Sequence, residues 1–177
     1  MNSDLNQKGF LSNMEVLEGS TTAKGLRIAI VVARYNNFVT DRLQAGAIEA
    51  LTSAGMSADS ILVLVVPGSF EIPSAARRAA ESGVFDAIVC LGCLIRGQTP
   101  HFDFIASAVA HGITAASAVT GVPITFGVLT TNSREEAIER AAEGSANKGW
   151  EAAMAAVEMV RLLESVPTAS KKEPKQQ

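Results

Sequence analysis

Only two cysteines, Cys90 and Cys93, occur in 177 residues, which excludes a disulfide scaffold. Their C-x-x-C spacing does not make a redox pair either, because they lie in an apolar strand-like run rather than at a helix start. Three residues apart in a strand, they point to opposite faces, and zinc would need a second pair of ligands that the sequence lacks. No metal is therefore expected. Basic residues form no run in the body of the chain and the net charge is −3, so nucleic acid is not an expected partner. About 18 consecutive apolar residues without polar breaks occur nowhere, and Met1–Lys8 has no apolar h-region. The expectation is a cytoplasmic protein with no membrane partner. Also absent are G-x-G-x-x-G after the first strand, G-x-x-x-x-G-K-[ST] and G-x-S-x-G, for which Gly68-Ser69-Phe70 is no substitute. Those absences remove the dinucleotide fingerprint, the P-loop and the hydrolase elbow.

What is present alternates. Leu26–Ala33, Ile61–Val66, Ala87–Leu94 and Ile124–Leu129 are continuous apolar runs of strand length. Continuous rather than alternating runs predict parallel strands covered on both faces. The intervals predict helices: Asp41–Ala54 after a Thr40 cap, Glu71–Ser82 with Pro73 in its first turn, and Phe102–Thr120. A capping-box pattern at Ser133–Glu136 opens a helix to about Glu143, and Lys148–Leu163 is the last. The order βαβαβαβαα with right-handed crossovers predicts a three-layer α/β sandwich around a four-stranded parallel sheet. Residues 21–165 form the expected catalytic domain. Residues 1–20 read as an arm, either without fixed structure or ordered against another subunit, and 166–177 as a flexible tail.

Ligands of such sheets bind beyond the carboxyl ends of the strands, near the switch in strand order. Arg34–Phe38, Pro67–Glu71, Ile95–His101 and Thr130–Asn132 follow the four strands and are expected to gather on that edge. Tyr35 or Phe38 can stack on a flat heterocycle or cap the core. Glu71 can bind a ligand or complement a helix dipole. His101 starts a helix, which favours a neutral imidazole able to accept a proton near neutral pH. The preceding Gly97-Gln98-Thr99 can aim N–H groups and a hydroxyl at an anion. His111, in mid-helix, reads as structural. Arg140 and Lys148 are two solvated charges or the cations that an anionic substrate needs.

Arg34–Phe38, Pro67–Pro73 and Leu94–Phe102 together resemble the signature loops of the lumazine synthase family. Phe126–Thr131, Ala137–Ala141 and Asn147–Gly149 continue the likeness in order, from about Glu15 to Leu163. The resemblance implies a flavodoxin-like fold and a transferase of riboflavin biosynthesis. It implies the condensation of 5-amino-6-(D-ribitylamino)uracil with 3,4-dihydroxy-2-butanone 4-phosphate, releasing water and phosphate and using no cofactor. By position, Tyr35 matches the aromatic that stacks on the pyrimidine. Asn36, Ser69, Phe70 and Glu71 match groups around the ring and ribityl chain, and Leu94 and Ile95 meet the pyrimidine edge. Gln98 and Thr99 match the phosphate-binding turn, and His101 the proton-transfer residue. Phe126, Arg140 and Lys148 match groups supplied by a neighbouring subunit, with Arg140 on the phosphate.

The resemblance also implies self-assembly into a homopentamer, which some members close into an icosahedral shell. The short stretch Glu143–Lys148 leans toward the shell. The N-terminal arm is expected to add a strand to a neighbour's sheet, and riboflavin synthase is a further candidate partner. Three positions depart from the family pattern. Tyr35 stands where Phe or Trp is common, and Pro100 stiffens the turn before His101. The stretch Ala141–Ala146 lacks the extra lysine of many members and carries Glu143 instead. Two rivals remain open at this point: a flavin-binding electron carrier, which wants a Ser/Thr-rich loop after the first strand, and a compartment protein with a relic site.

Overall fold

The four apolar runs become one parallel sheet: β1 (Ile28–Ala33), β2 (Ile61–Val66), β3 (Ala87–Ile95) and β4 (Ile124–Thr131). The computed structural model describes residues 15–167; expectations for 1–14 and 168–177 lie outside them. Sheet order is β2-β1-β3-β4, so the switch point lies between β1 and β3. Helices α1 (Asn37–Ser53), α2 (Ile72–Glu81), α3 (His101–Thr120), α4 (Arg134–Arg140) and α5 (Lys148–Ser165) complete a flavodoxin-like three-layer sandwich.

The period-2 geometry of the strands sorts their side chains into two cores. Ile28, Ile30, Val32, Val89, Leu91 and Cys93 face α1 and α5. Ala29, Val31, Ala33, Ile88 and Cys90 face α2 and α3. The cysteines thus sit on opposite faces, as their spacing predicts. Burial pushes the Cys93 thiol up to about 11 and Cys90 beyond the ordinary thiol range, so both are neutral packing groups near pH 7.

β1 is buried throughout, as a doubly covered strand should be. The edge strands depart from that expectation. On β2, Leu62 and Val65 are exposed, and on β4 so is Phe126. Helix α3 is by length and composition apolar enough to cross a membrane. It packs Val109, Ile113 and Ala116 on the sheet, yet leaves Phe104 and Val119 about 70% open. Among the described residues, apolar edges and one apolar helix face therefore lack a partner.

Three helix boundaries differ from expectation, each for a local reason. Helix α1 starts four residues early because Asn36 takes a left-handed conformation at its N-cap (φ 62). Thr40 is consequently buried inside the helix rather than capping it. A 3-10 turn, Ser69–Glu71, precedes α2. Helix α4 stops at Arg140. Its capping box is present in altered form: Glu136 N–H donates to Ser133 Oγ, while Glu136 Oε2 accepts from Asn132 N–H.

Helices α1 and α5 cross at close range over glycine. A Cβ on Gly149 would run into the Leu43 carbonyl, and one on Gly46 would meet the Asn147 amide at 2.6 Å. Asn147, 2% exposed, caps α5 through Oδ1 to Gly149 N–H (2.7 Å) and donates Nδ2 to the Arg42 carbonyl (3.1 Å). The Asn-Lys-Gly triplet is thus two structural residues flanking an accessible lysine. Asn147→Ala removes the cap and the interhelix bond, and is expected to destabilise the fold by about 2 kcal/mol. The urea midpoint at fixed protein concentration reads this; an unchanged midpoint would refute the capping role.

Candidate active site

The loops after β1, β2 and β3 converge on a cleft of about 340 Å³ at the β1/β3 switch point. Its walls are Tyr35 and Asn36 from the first loop, Gly68–Glu71 from the second, and Leu94, Ile95, Gly97, Thr99 and His101 from the third. Phe102 and Ile105 of α3 close it.

The left-handed turn at Asn36 redirects the chain from β1 into α1 and leaves Tyr35 largely open to solvent. Asn36 Nδ2 donates to the Cys93 carbonyl at 2.9 Å, so its amide ties the first loop to the end of β3 and leaves Oδ1 as an acceptor. Ser69 is buried over Gly92, where any Cβ would stand 2.7 Å from its Oγ. Glu71 folds its carboxylate back toward Gly68. The cleft thus offers the aromatic rings of Tyr35, Phe70 and Phe102, hydroxyls, an amide oxygen, a carboxylate and an imidazole.

His101 is the first residue of a 20-residue helix and is exposed. It sits where the helix leaves N–H groups unsatisfied and the macrodipole favours negative charge. Thr99 and Gly97 line the cleft beside it. Gln98 is exposed on the same turn but does not line the cleft.

Phe126, Arg140 and Lys148 lie elsewhere. They line a second cleft of about 460 Å³, bounded by β4, α4 and α5, which shares no residue with the first. Lys148 Nζ pairs with both Glu151 oxygens at 2.7 and 2.6 Å, a half-exposed contact of modest worth. Among the described residues no carboxylate pairs with Arg140.

Some expected members do not join the first cleft. Phe38 packs against the core with the Arg134 guanidinium 4.0 Å over its ring, which leaves stacking to Tyr35. Thr130 lines the second cleft, Thr131 is buried, and Asn132 N–H is spent on Glu136, so the fourth loop is not part of the first cleft. The residues that the sequence reading did not single out include Phe102, next to His101, as well as Ile105 and Glu151. Ile105 lies one turn after His101 on the same helix face, a spacing that could have identified it. Glu151 faces Lys148 at i+3, which the same rule covers. Among the described residues no group of three His, Cys, Asp or Glu could hold a metal.

Comparison with known proteins gives one consistent answer. The family model described as 6,7-dimethyl-8-ribityllumazine synthase matches residues 25–164. A 6,7-dimethyl-8-ribityllumazine synthase of Desulfatibacillum aliphaticivorans is 49% identical over 149 residues, covering 84% of this chain and 96% of that protein. One of Syntrophus aciditrophicus (strain SB) is 51% identical over 151 residues, covering 85% and 98%.

Proposed function

The chain belongs to the 6,7-dimethyl-8-ribityllumazine synthase family and has that activity in riboflavin biosynthesis, and from this premise we propose how its residues divide the work. The observation that carries the reading is the gathering of Tyr35, Asn36, Ser69, Glu71, Thr99 and His101 in one cleft at the switch point.

The first cleft takes the 5-amino-6-(D-ribitylamino)uracil. Tyr35 stacks on the pyrimidine, where offset stacking adds about 1 kcal/mol beyond area burial. Asn36, Ser69, Phe70 and Glu71 hold the ring and ribityl chain, and the backbone of Leu94 and Ile95 meets the pyrimidine edge. The turn at Gln98 and Thr99 receives the phosphate of 3,4-dihydroxy-2-butanone 4-phosphate. Carbon–nitrogen bond formation, loss of phosphate and ring closure with loss of water all move protons, and His101 carries them. Orientation of the two substrates supplies much of the remaining acceleration.

The second cleft serves the same reaction on a neighbouring copy, which presents Phe126 to the pyrimidine, Lys148 to the ribityl chain and Arg140 to the phosphate. The exposure of Phe126 on β4 and of Phe104 and Val119 on α3 among the described residues supports self-association. The homopentamer is the assembly that this reading adopts, with the short Glu143–Lys148 link favouring closure into a shell. The arm from Val16 pairs with the neighbour's exposed β2 edge.

The test is steady-state formation of lumazine absorbance from both substrates. His101→Ala is expected to lower kcat by roughly a hundredfold while leaving the pyrimidine KM unchanged. Wild-type turnover with an unaltered His101→Ala rate would remove the histidine from the reaction.

A further inference from the structure

The turn Gly97–Pro100 must hold a particular shape, because it presents both the anion-binding groups and His101. Little inside it does so. Gly97 has open space where a side chain would be, and among the described residues the Pro100 carbonyl alone of these four residues accepts backbone bonds, from Asp103 and Phe104. The restraint lies at its two ends. Arg96 N–H donates to the Thr131 carbonyl at 2.9 Å, which anchors the start of the turn to β4. From that anchor the Arg96 guanidinium reaches over the turn and grips Asp103, on the first turn of α3, with both ends of its fork: Nη1 to Oδ2 at 3.0 Å and Nη2 to Oδ1 at 2.8 Å. The same guanidinium lies 4.3 Å over the Phe102 ring, and that ring lines the cleft. A planar fork held by a carboxylate at its edge and an aromatic at its face has few alternative positions.

We propose that Arg96 and Asp103 are positioning residues, a clamp that closes the ends of the Gly97–Pro100 turn and thereby fixes His101 and the phosphate-binding groups. The inference rests on the reading of the cleft as the active site. Arg96 is committed to Asp103 and Phe102, which separates its role from that of Arg140. The hydrogen bond to Arg96 holds the Asp103 carboxyl below the usual carboxylate range, so the clamp stays closed at neutral pH. Both side chains are about half exposed, at 44% and 57%, so the pair adds little to global stability and its loss leaves the fold intact.

The experiment compares Arg96→Gln, Asp103→Asn, the double variant and Arg96→Lys, with inorganic phosphate as a competing probe. Each single variant is expected to raise the KM for the phosphate substrate and the phosphate inhibition constant by roughly tenfold, with the pyrimidine KM unchanged. The double variant should be no worse than either single one, because each already opens the clamp. Arg96→Lys, with charge but no fork, should recover only part of the loss. The thermal midpoint should not move. An unaffected Asp103→Asn enzyme would overturn the proposal, since a phosphate-binding Arg96 would be harmed only by its own loss. Multiplicative effects in the double variant, or losses that track a falling midpoint, would overturn it as well. A His101→Ala enzyme with full activity would instead refute the active-site reading on which the proposal stands.

Discussion

Replacing Arg140 by alanine is expected to lower kcat/KM for the phosphate-bearing substrate by about a hundredfold or more, from the loss of two charge-assisted hydrogen bonds worth about 1.5 kcal/mol each. Arginine presents a fork that matches two phosphate oxygens, and in the developing transition state those oxygens gain charge as the ester bond breaks. Part of the loss should therefore appear in kcat and part in KM. The effect is large here because little else nearby can substitute. The stretch that follows, Ala141–Ala146, has no lysine and places Glu143 close to Arg140 in sequence. Lys148 is engaged with Glu151. Arg140→Lys should recover a fraction, keeping charge but not the fork. A phosphate-substrate kcat/KM within about twofold of wild type for Arg140→Ala would show that the phosphate lies elsewhere.

The sheet was legible in the sequence almost residue by residue, because a parallel strand's burial on both faces leaves a continuous apolar run. The same rule hid something. Ile61–Val66 reads as fully buried but forms an edge strand that the described residues leave partly open. Helix starts were less legible where the chain departs from ordinary caps. At Asn36 a left-handed residue starts α1 early, which resolves Phe38 as a core-packing residue, one of the two roles its position allowed, and turns the supposed cap Thr40 into a buried residue. The cleft was legible as a set of strand ends, and three of the four loops meet there. The Arg96–Asp103 contact was not, because the two lie seven residues apart across a turn and a helix start, outside any fixed helical or strand spacing.

The proposed division of the site between two clefts leads to the second large effect. His101 and Arg140 line clefts that share no residue, so a variant of either one damages only one half. If a ring assembles by heterologous contacts, the first cleft of one copy faces the second cleft of the next, and every site draws its halves from different chains. His101→Ala and Arg140→Ala assemblies, each nearly inactive when prepared separately, should therefore regain activity when co-expressed. With random mixing at equal amounts, about a quarter of sites combine an intact His101 with an intact Arg140, so recovery should approach about a quarter of wild-type kcat/KM for the phosphate substrate per chain. That is a gain of well over tenfold above either parent, given losses near a hundredfold. The same sample should run as one assembly, larger than an 18.5 kDa chain, by light scattering. A His101→Ala/Arg140→Ala double variant mixed with wild type gives a control of the same mutational load. There too about a quarter of the sites are intact, namely those between adjacent wild-type chains. The decisive comparison is therefore with the parents: co-expression that yields only the average of the two singly impaired assemblies would mean that each chain builds its site from its own Arg140 and His101, and the shared site would have to be abandoned.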